Sequence, residues 1–413
     1  MTSSSPTQTC SAAPAGKAAR FWMPLLALVL LGCNLRGPIT AIQPVLGQIR
    51  ESLGIGSVGA GLLTSIPVLC FGLLPPLVSP LIARLGIDRS VQLVLAGVAL
   101  AMLLRPFAGI EGLFAGTLLI GLCIAIGNIV TLMLIARDFA GRTNLVTGFY
   151  TISLNLGAML TLALTAPMAD RIGWRRALAA WAGLAAVAMI VRLLAPRETA
   201  PEESSRTTSE ASSKAATAMP GQQRAVWIMT LAFAVHIFAY YSLTAWLPTY
   251  LAGAGGMGAT QAGIVASSFQ ILSLTGSLGI PLLARRFSLG TLMMAMGAIW
   301  TVTPIWILLA PEQWMFWSPI GSIAHGGTFV LVFMMIVKFT RTMDENRRAS
   351  TKAQSIGYCF AALGPTLTGW LQGTAHGWWL AFGMIAAITP VLIPLGLVLS
   401  RFEDGQTRQR ANP

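Results

Sequence analysis

The chain has 413 residues, 55% of them hydrophobic and only 10% charged, against about 25% charged in soluble domains. With a mean hydropathy of +0.71, this excludes a soluble globule, and it excludes a disordered chain, which needs low hydrophobicity. The net charge of +13 requires no nucleic acid, because in a membrane protein the placement of basic residues encodes topology.

Residues 1–20 are rich in Ser, Thr and Ala and read as a disordered tail. Twelve apolar runs follow, each near the length that a spanning helix needs. The first six lie at 21–47, 57–83, 90–107, 111–136, 144–167 and 176–195. The hydrophilic stretch 196–224 has the composition of a flexible linker. The second six lie at 225–252, 259–284, 288–310, 314–338, 352–372 and 378–400, before a polar tail at 401–413. The expected architecture is all-α and integral to a membrane, with twelve helices in two six-helix bundles at 21–195 and 225–400. The runs lack the period-two alternation of a β-barrel. The five cysteines show no CxxC or zinc spacing, so no metal or cofactor is expected.

Basic residues set the orientation. With the N-terminus in the cytoplasm, twenty-one of the 27 fall on cytoplasmic segments, five on the opposite face, and Arg36 is left over. The rule that positive loops stay inside then places both termini, the linker and the tail in the cytoplasm. The halves also resemble each other. PLIAR at 80–84 recurs as PLLAR at 281–285, and the same offset carries Ile135 and Arg137 onto Ile336 and Lys338. A parallel internal repeat is the arrangement of secondary transporters, whose site lies near the midplane between the halves.

Arg36 stands halfway along the first run, in GCNLRGPIT. An arginine at the bilayer centre costs about 2.5–3.5 kcal/mol on insertion scales, so it should face the bundle interior. Thr40 and Gln43 share its helical stripe. Pro38 removes one backbone N–H, and Gly37 weakens the helix beside it. All fourteen acids fall in loops, tails or span ends, so no carboxylate at that depth neutralises the guanidinium. A bound anion is the expected counter-charge, since the guanidinium fork suits an oxyanion bidentately. The alternative is a structural arginine satisfied by backbone carbonyls. The absence of an intramembrane acid also argues against efflux of lipophilic cations.

Polar residues in other spans are candidates to complete a substrate site: Asn128, Tyr150, His236, Tyr240, Gln270, His325, Gln354 and Tyr358, with Trp246 deep enough to line a cavity. Each is also compatible with a role as interhelical glue. His236 and His325 titrate near neutral pH and are the candidate proton carriers.

The chain resembles the major facilitator superfamily, and within it the cyanate permease and 2-nitroimidazole transporter family. The resemblance rests on NLRGPIT and IQPVL (34–46), GNIVTLMLIARDF (127–139), GWRRAL (173–178), YYSLTAWLPTYL (240–251), SFQ followed by PLLARR (268–286) and KAQSIGYCFAALGPTLTGW (352–370). It implies twelve helices that work by alternating access. The family's helix-1 arginine corresponds to Arg36, and its glutamines of helices 8 and 11 correspond to Gln270 and Gln354. The chain departs from the pattern at Ala83, where the superfamily's loop 2–3 motif carries Asp, and at His236 and His325, where similar members often carry Gln.

The expectation is an inner-membrane secondary transporter of a small anionic solute, proton-coupled through a histidine. It would work as a monomer in lipid, without nucleic acid. The rival is an exporter of neutral polar or nitroaromatic compounds. An intramembrane enzyme is excluded by the lack of paired acids, a metal cluster or HExxH in the core.

Overall fold

A computed structural model describes residues 15–195, 220–340 and 342–411, and these residues contain helices and no strand. The first half opens with α1 (Ala15–Thr40), a 3-10 turn (Gln43–Val45) and α2 (Leu46–Leu53). The second to sixth spans follow as α3 (Ser57–Leu73) with α4 (Pro75–Leu85), α5 (Ile87–Leu104), α6 (Gly109–Asp138), α7 (Thr143–Ile172), and α8 (Trp174–Ala180) with α9 (Ala182–Leu194). The second half comprises α10 (Pro220–Ala252), α11 (Ala259–Leu283), α12 (Leu289–Leu309), α13 (Trp314–Phe339), the broken pair α14 (Met343–Ala361) and α15 (Leu363–Gln372), then α16 (Gly377–Ile388) and α17 (Leu392–Ala411).

Ten of the described helices are long and apolar enough to cross a membrane, and the bent pair α3–α4 makes an eleventh. The pair α14–α15 completes the twelve by position. Its first half, MDENRRASTKAQ, is too polar to register as a span. Its polar residues Asp344, Arg347 and Arg348 are exposed, and the later turns around Gly357 and Cys359 pack between α3 and α10. The Thr342 hydroxyl starts α14 by accepting from the Glu345 N–H at 3.2 Å.

Several boundaries differ from the sequence expectation. Helix α1 already runs from Ala15, inside the stretch expected to be disordered. The expected linker ends at 219, because Pro220 opens α10 from a position where its missing N–H costs nothing. Residues 1–14 and the linker segment 196–219 lie outside the described residues. The tail at 401–413 is helical to Ala411, continuing α17. The second span bends by 72° between Leu73 and Pro75, where consecutive prolines withdraw two N–H donors.

Each half builds its own apolar core, one around Leu28, Leu35, Val94 and Ile124, the other around Phe233, Trp300, Met335 and Phe382. A few residues cross the seam. Trp246 packs into the first half's core, and Val68 and Leu162 into the second's.

The two ends of the molecule are held differently. At the end bearing α2, helices of opposite halves touch backbone to backbone. A Cβ on Gly61 would sit 2.4 Å from the Pro365 carbonyl oxygen. The Ser65 and Thr366 hydroxyls bond at 2.8 Å. Arg50 donates to Ser57 Oγ at 2.8 Å, and Ser57 donates to Gln372 Oε1 at 3.0 Å. At the opposite end, ion pairs tie each half to itself. Asp88 accepts from Arg137 Nη1 and Nη2, both at 3.1 Å, and from Arg192. Arg137 also reaches Asp138 at 2.6 Å. The charge relay missing at Ala83 is thus built from Asp88, five residues on. In the second half, Lys338 pairs with Glu403 at 2.7 Å, and the same carboxylate accepts from the Gly290 N–H at 3.3 Å.

Candidate functional site

The site grows out of the break in α1. Regular helix stops at Thr40, within a turn of Pro38, and the chain turns through a 3-10 segment into α2. This leaves helix-end carbonyls without N–H partners. The Pro38 carbonyl is satisfied by Arg105 Nη2 at 3.2 Å. Arg105 closes the end of α5 in the turn before α6, yet it is only 2% exposed. A cation at a helix C-terminus also meets the negative end of the helix dipole.

One turn before the break, Arg36 leaves α1 toward the other half. Its Nη1 donates to the Tyr241 hydroxyl at 3.0 Å. Arg36 is half-buried, although it lies mid-span with buried neighbours on both sides. That residual exposure faces the space between the halves, because the side chain bonds across it. Among the described residues no carboxylate pairs with Arg36, and the groups that feel its charge most are Tyr241, Tyr240, Tyr358 and Tyr150.

Helix α10 lines the opposite wall. Tyr240 donates to Gln270 Oε1 at 3.0 Å. The His325 ring lies flat against Tyr240, with centroids 3.8 Å apart and planes within 4°. Behind it His236 stacks on His325 at 5.2 Å and meets Trp300 edge-on at 5.6 Å. His236 is fully enclosed, and neither ring nitrogen meets a hydrogen-bond partner among the described residues. His325 is half-buried, and its Nδ1 is enclosed without a hydrogen-bond partner among the described residues. On the first half, the Tyr150 hydroxyl points to Asn128 Oδ1 at 3.4 Å, and Asn155 accepts from the Ser273 hydroxyl of α11 at 3.3 Å. Tyr358 packs edge-on against Phe71 of α3 and Phe233 of α10.

The structure therefore gathers Arg36, Asn128, Tyr150, His236, Tyr240, Gln270, His325 and Tyr358 of the sequence candidates. Gln354 is half-buried one turn from Tyr358 on the same face of α14, without a bond to the others. Two candidates do not join. The Thr40 hydroxyl is consumed by Thr161 at 2.7 Å and by its own helix carbonyls. Trp246 lies at the α2 end, where it donates to the Pro365 carbonyl at 2.8 Å and Arg50 sits over its ring. Tyr241 and Asn155 were not singled out from sequence. A second tyrosine adjacent to Tyr240 was the available signal for the first, since two neighbours on a helix diverge by about 100° and can flank one cavity.

Two six-helix halves, closed together at one end around a polar mid-depth site, define a multi-pass membrane transporter. The model of the Major Facilitator Superfamily matches residues 25–344, and the chain belongs to that superfamily. It is 29% identical over 410 residues to the 2-nitroimidazole transporter of Escherichia coli K12, covering 96% of this chain and 99% of that one. It is 28% identical over 385 residues to the cyanate transport protein CynX of the same organism, covering 92% and 98%. An uncharacterized transporter of Bacillus subtilis, YycB, is 29% identical over 377 residues, covering 90% and 92%. Among solved structures, the nucleoside transporter NupG superposes with a TM-score of 0.73 at 14% identity, covering 91% of this chain and 99% of that one. A bacterial homologue of the lysosomal transporter Spinster, inward-facing and occupied, gives 0.72 at 15%, covering 95% and 98%.

Proposed function

We propose that this protein is a secondary transporter of a small anionic solute in a bacterial inner membrane, with both termini cytoplasmic and the monomer as the working unit. Arg36 is the electrostatic anchor. The observation that carries this reading is a mid-membrane guanidinium without a carboxylate partner among the described residues, bonded to a hydroxyl of the opposite half. An anion there supplies the missing counter-charge at a depth where an unmatched charge is costly. The contacts at the α2 end form the external gate, and alternating access consists of their release and the closure of the cytoplasmic end.

His325 carries the coupling proton in this proposal, because of these two histidines it alone keeps residual exposure. It faces Tyr240 and His236 of α10, Phe269 of α11, Trp300 of α12 and the charge of Arg36 from α1. Its replacement by Gln uncouples uptake from a pH gradient in liposomes while leaving binding intact.

A second reading is supported by the similarity to a 2-nitroimidazole transporter along almost the whole chain. In it the solute is a neutral nitroaromatic compound that is exported, held by rings and amides, with Arg36 structural. The deciding experiment is thermal stabilisation of purified wild-type protein and Arg36→Gln by cyanate, nitrate, short carboxylates and a nitroimidazole. A ligand stabilises to the extent that it binds the folded state. Stabilisation by an anion, lost in the variant, is the expected result. Equal stabilisation of both proteins by the neutral compound alone replaces the first reading with the second.

A further inference from the structure

The chain has five tyrosines, and four of them surround one guanidinium. Tyr241 bonds Arg36, while Tyr150, Tyr240 and Tyr358 lie close enough to feel its charge. They come from three helices of both halves, α7, α10 and α14. Only Tyr250 stands apart, donating to the Ile307 carbonyl at 3.2 Å. The rings are set at angles to one another. Tyr240 and Tyr241 meet at 5.0 Å and 68°, and Tyr241 and Tyr358 at 6.5 Å and 60°. The His325 imidazole extends the Tyr240 wall.

This composition discriminates among anions. A small inorganic anion needs donors only, and it gains nothing from π faces while losing its hydration shell. An aliphatic carboxylate gains apolar contact but has no quadrupole to match the rings. A flat ring bearing an oxyanion uses both parts of the site. Aromatic pairs prefer offset-stacked or edge-to-face geometry with centroids 4.5–7 Å apart. Of the four tyrosines Tyr358 keeps residual exposure, and its ring stands at 60° to that of Tyr241, the ring that holds the guanidinium.

Resting on the anion-site reading above, we infer that the solute is an aromatic or heteroaromatic carboxylate. Its carboxylate docks on Arg36 and the Tyr241 hydroxyl, and its ring packs against Tyr358. The rings then confer specificity and the guanidinium confers charge selection.

The test measures binding to the purified full-length protein by thermal shift, using benzoate, cyclohexanecarboxylate, acetate, benzamide and a nitroimidazole. Benzoate and cyclohexanecarboxylate share a charge, and the saturated ring is the more hydrophobic. Burial alone therefore favours cyclohexanecarboxylate, and stacking favours benzoate. The expected result is benzoate tighter than cyclohexanecarboxylate by about tenfold, with acetate and benzamide weaker still. Tyr358→Leu lowers benzoate affinity several-fold without changing cyclohexanecarboxylate, and Tyr358→Phe restores it. Arg36→Gln removes every carboxylate. Equal binding of the two ring acids overturns the inference and leaves the anion site standing. Benzamide or the nitroimidazole binding as tightly as benzoate, in wild type and in Arg36→Gln alike, overturns both. Acetate or no panel member binding, with benzoate silent at millimolar concentration, overturns the inference alone.

Discussion

Helices α1 and α10 hold equivalent places in the two halves, and they have been put to different uses. Helix α1 carries a charge at mid-depth and breaks one turn later, at the cost of a carbonyl that Arg105 must satisfy. Helix α10 runs unbroken for 33 residues. At the position matching Arg36 it has Ile237, 2% exposed, beside the fully enclosed His236. One copy supplies the charge and the other the aromatic wall. The site is therefore asymmetric although the fold is nearly a duplication. The bond from Arg36 to Tyr241 joins the two halves across the seam.

Four substitutions break or sharpen this comparison, from the largest effect to the smallest. Arg36→Ala removes the charge of α1 and lowers anion affinity by about 10–100-fold, the loss of a charge-assisted bond worth roughly 1.5–3 kcal/mol. Equilibrium binding measures it. Arg105→Met orphans the Pro38 carbonyl and lowers stability by about 1–3 kcal/mol, seen as a lower Tm without ligand. Tyr241→Phe on α10 keeps the ring and loses the acceptor for Arg36, weakening anion binding by about fivefold, near 1 kcal/mol. An unchanged affinity there means that α10 contributes no polar contact. Gln372→Leu removes one neutral bond of the α2 end, about 0.5–1 kcal/mol. It raises labelling of a cysteine placed at the half-buried Leu53 by a few-fold, with binding little changed.

The charge half of the site was legible in the sequence, because an arginine inside an apolar run has few places to go. The aromatic half was less so. Helical spacing from His236 selects Tyr240 and passes over Tyr241, whose role depends on where α1 comes to lie. The role of Arg105 left no signal in the sequence for a related reason. Next to a proline at the end of an apolar run it looks like loop, and only tertiary packing brings it under the end of α1. Helix α14 begins in a polar stretch whose outward residues are exposed, so the hydropathy reading starts this span at 352, nine residues after the helix does. Trp246 is expected from sequence to line a cavity, but burial alone does not separate a cavity wall from the closed end where it sits.

The break in α1 also bears on how the protein is made. The first span emerges with an uncompensated guanidinium and an unsatisfied carbonyl, both unfavourable in lipid. Arg105, which caps the carbonyl, is 67 residues later in the chain, and Tyr241, which bonds Arg36, is 205 residues later. At ribosomal speeds of about 5–20 residues per second, the second partner arrives roughly ten to forty seconds afterwards. Insertion of the leading helix is thus provisional until the seventh span is synthesised. A chain truncated before α10 keeps the Arg105 cap and the packing of α1 against α6, α7 and α9, but leaves the Arg36 charge without its hydroxyl acceptor.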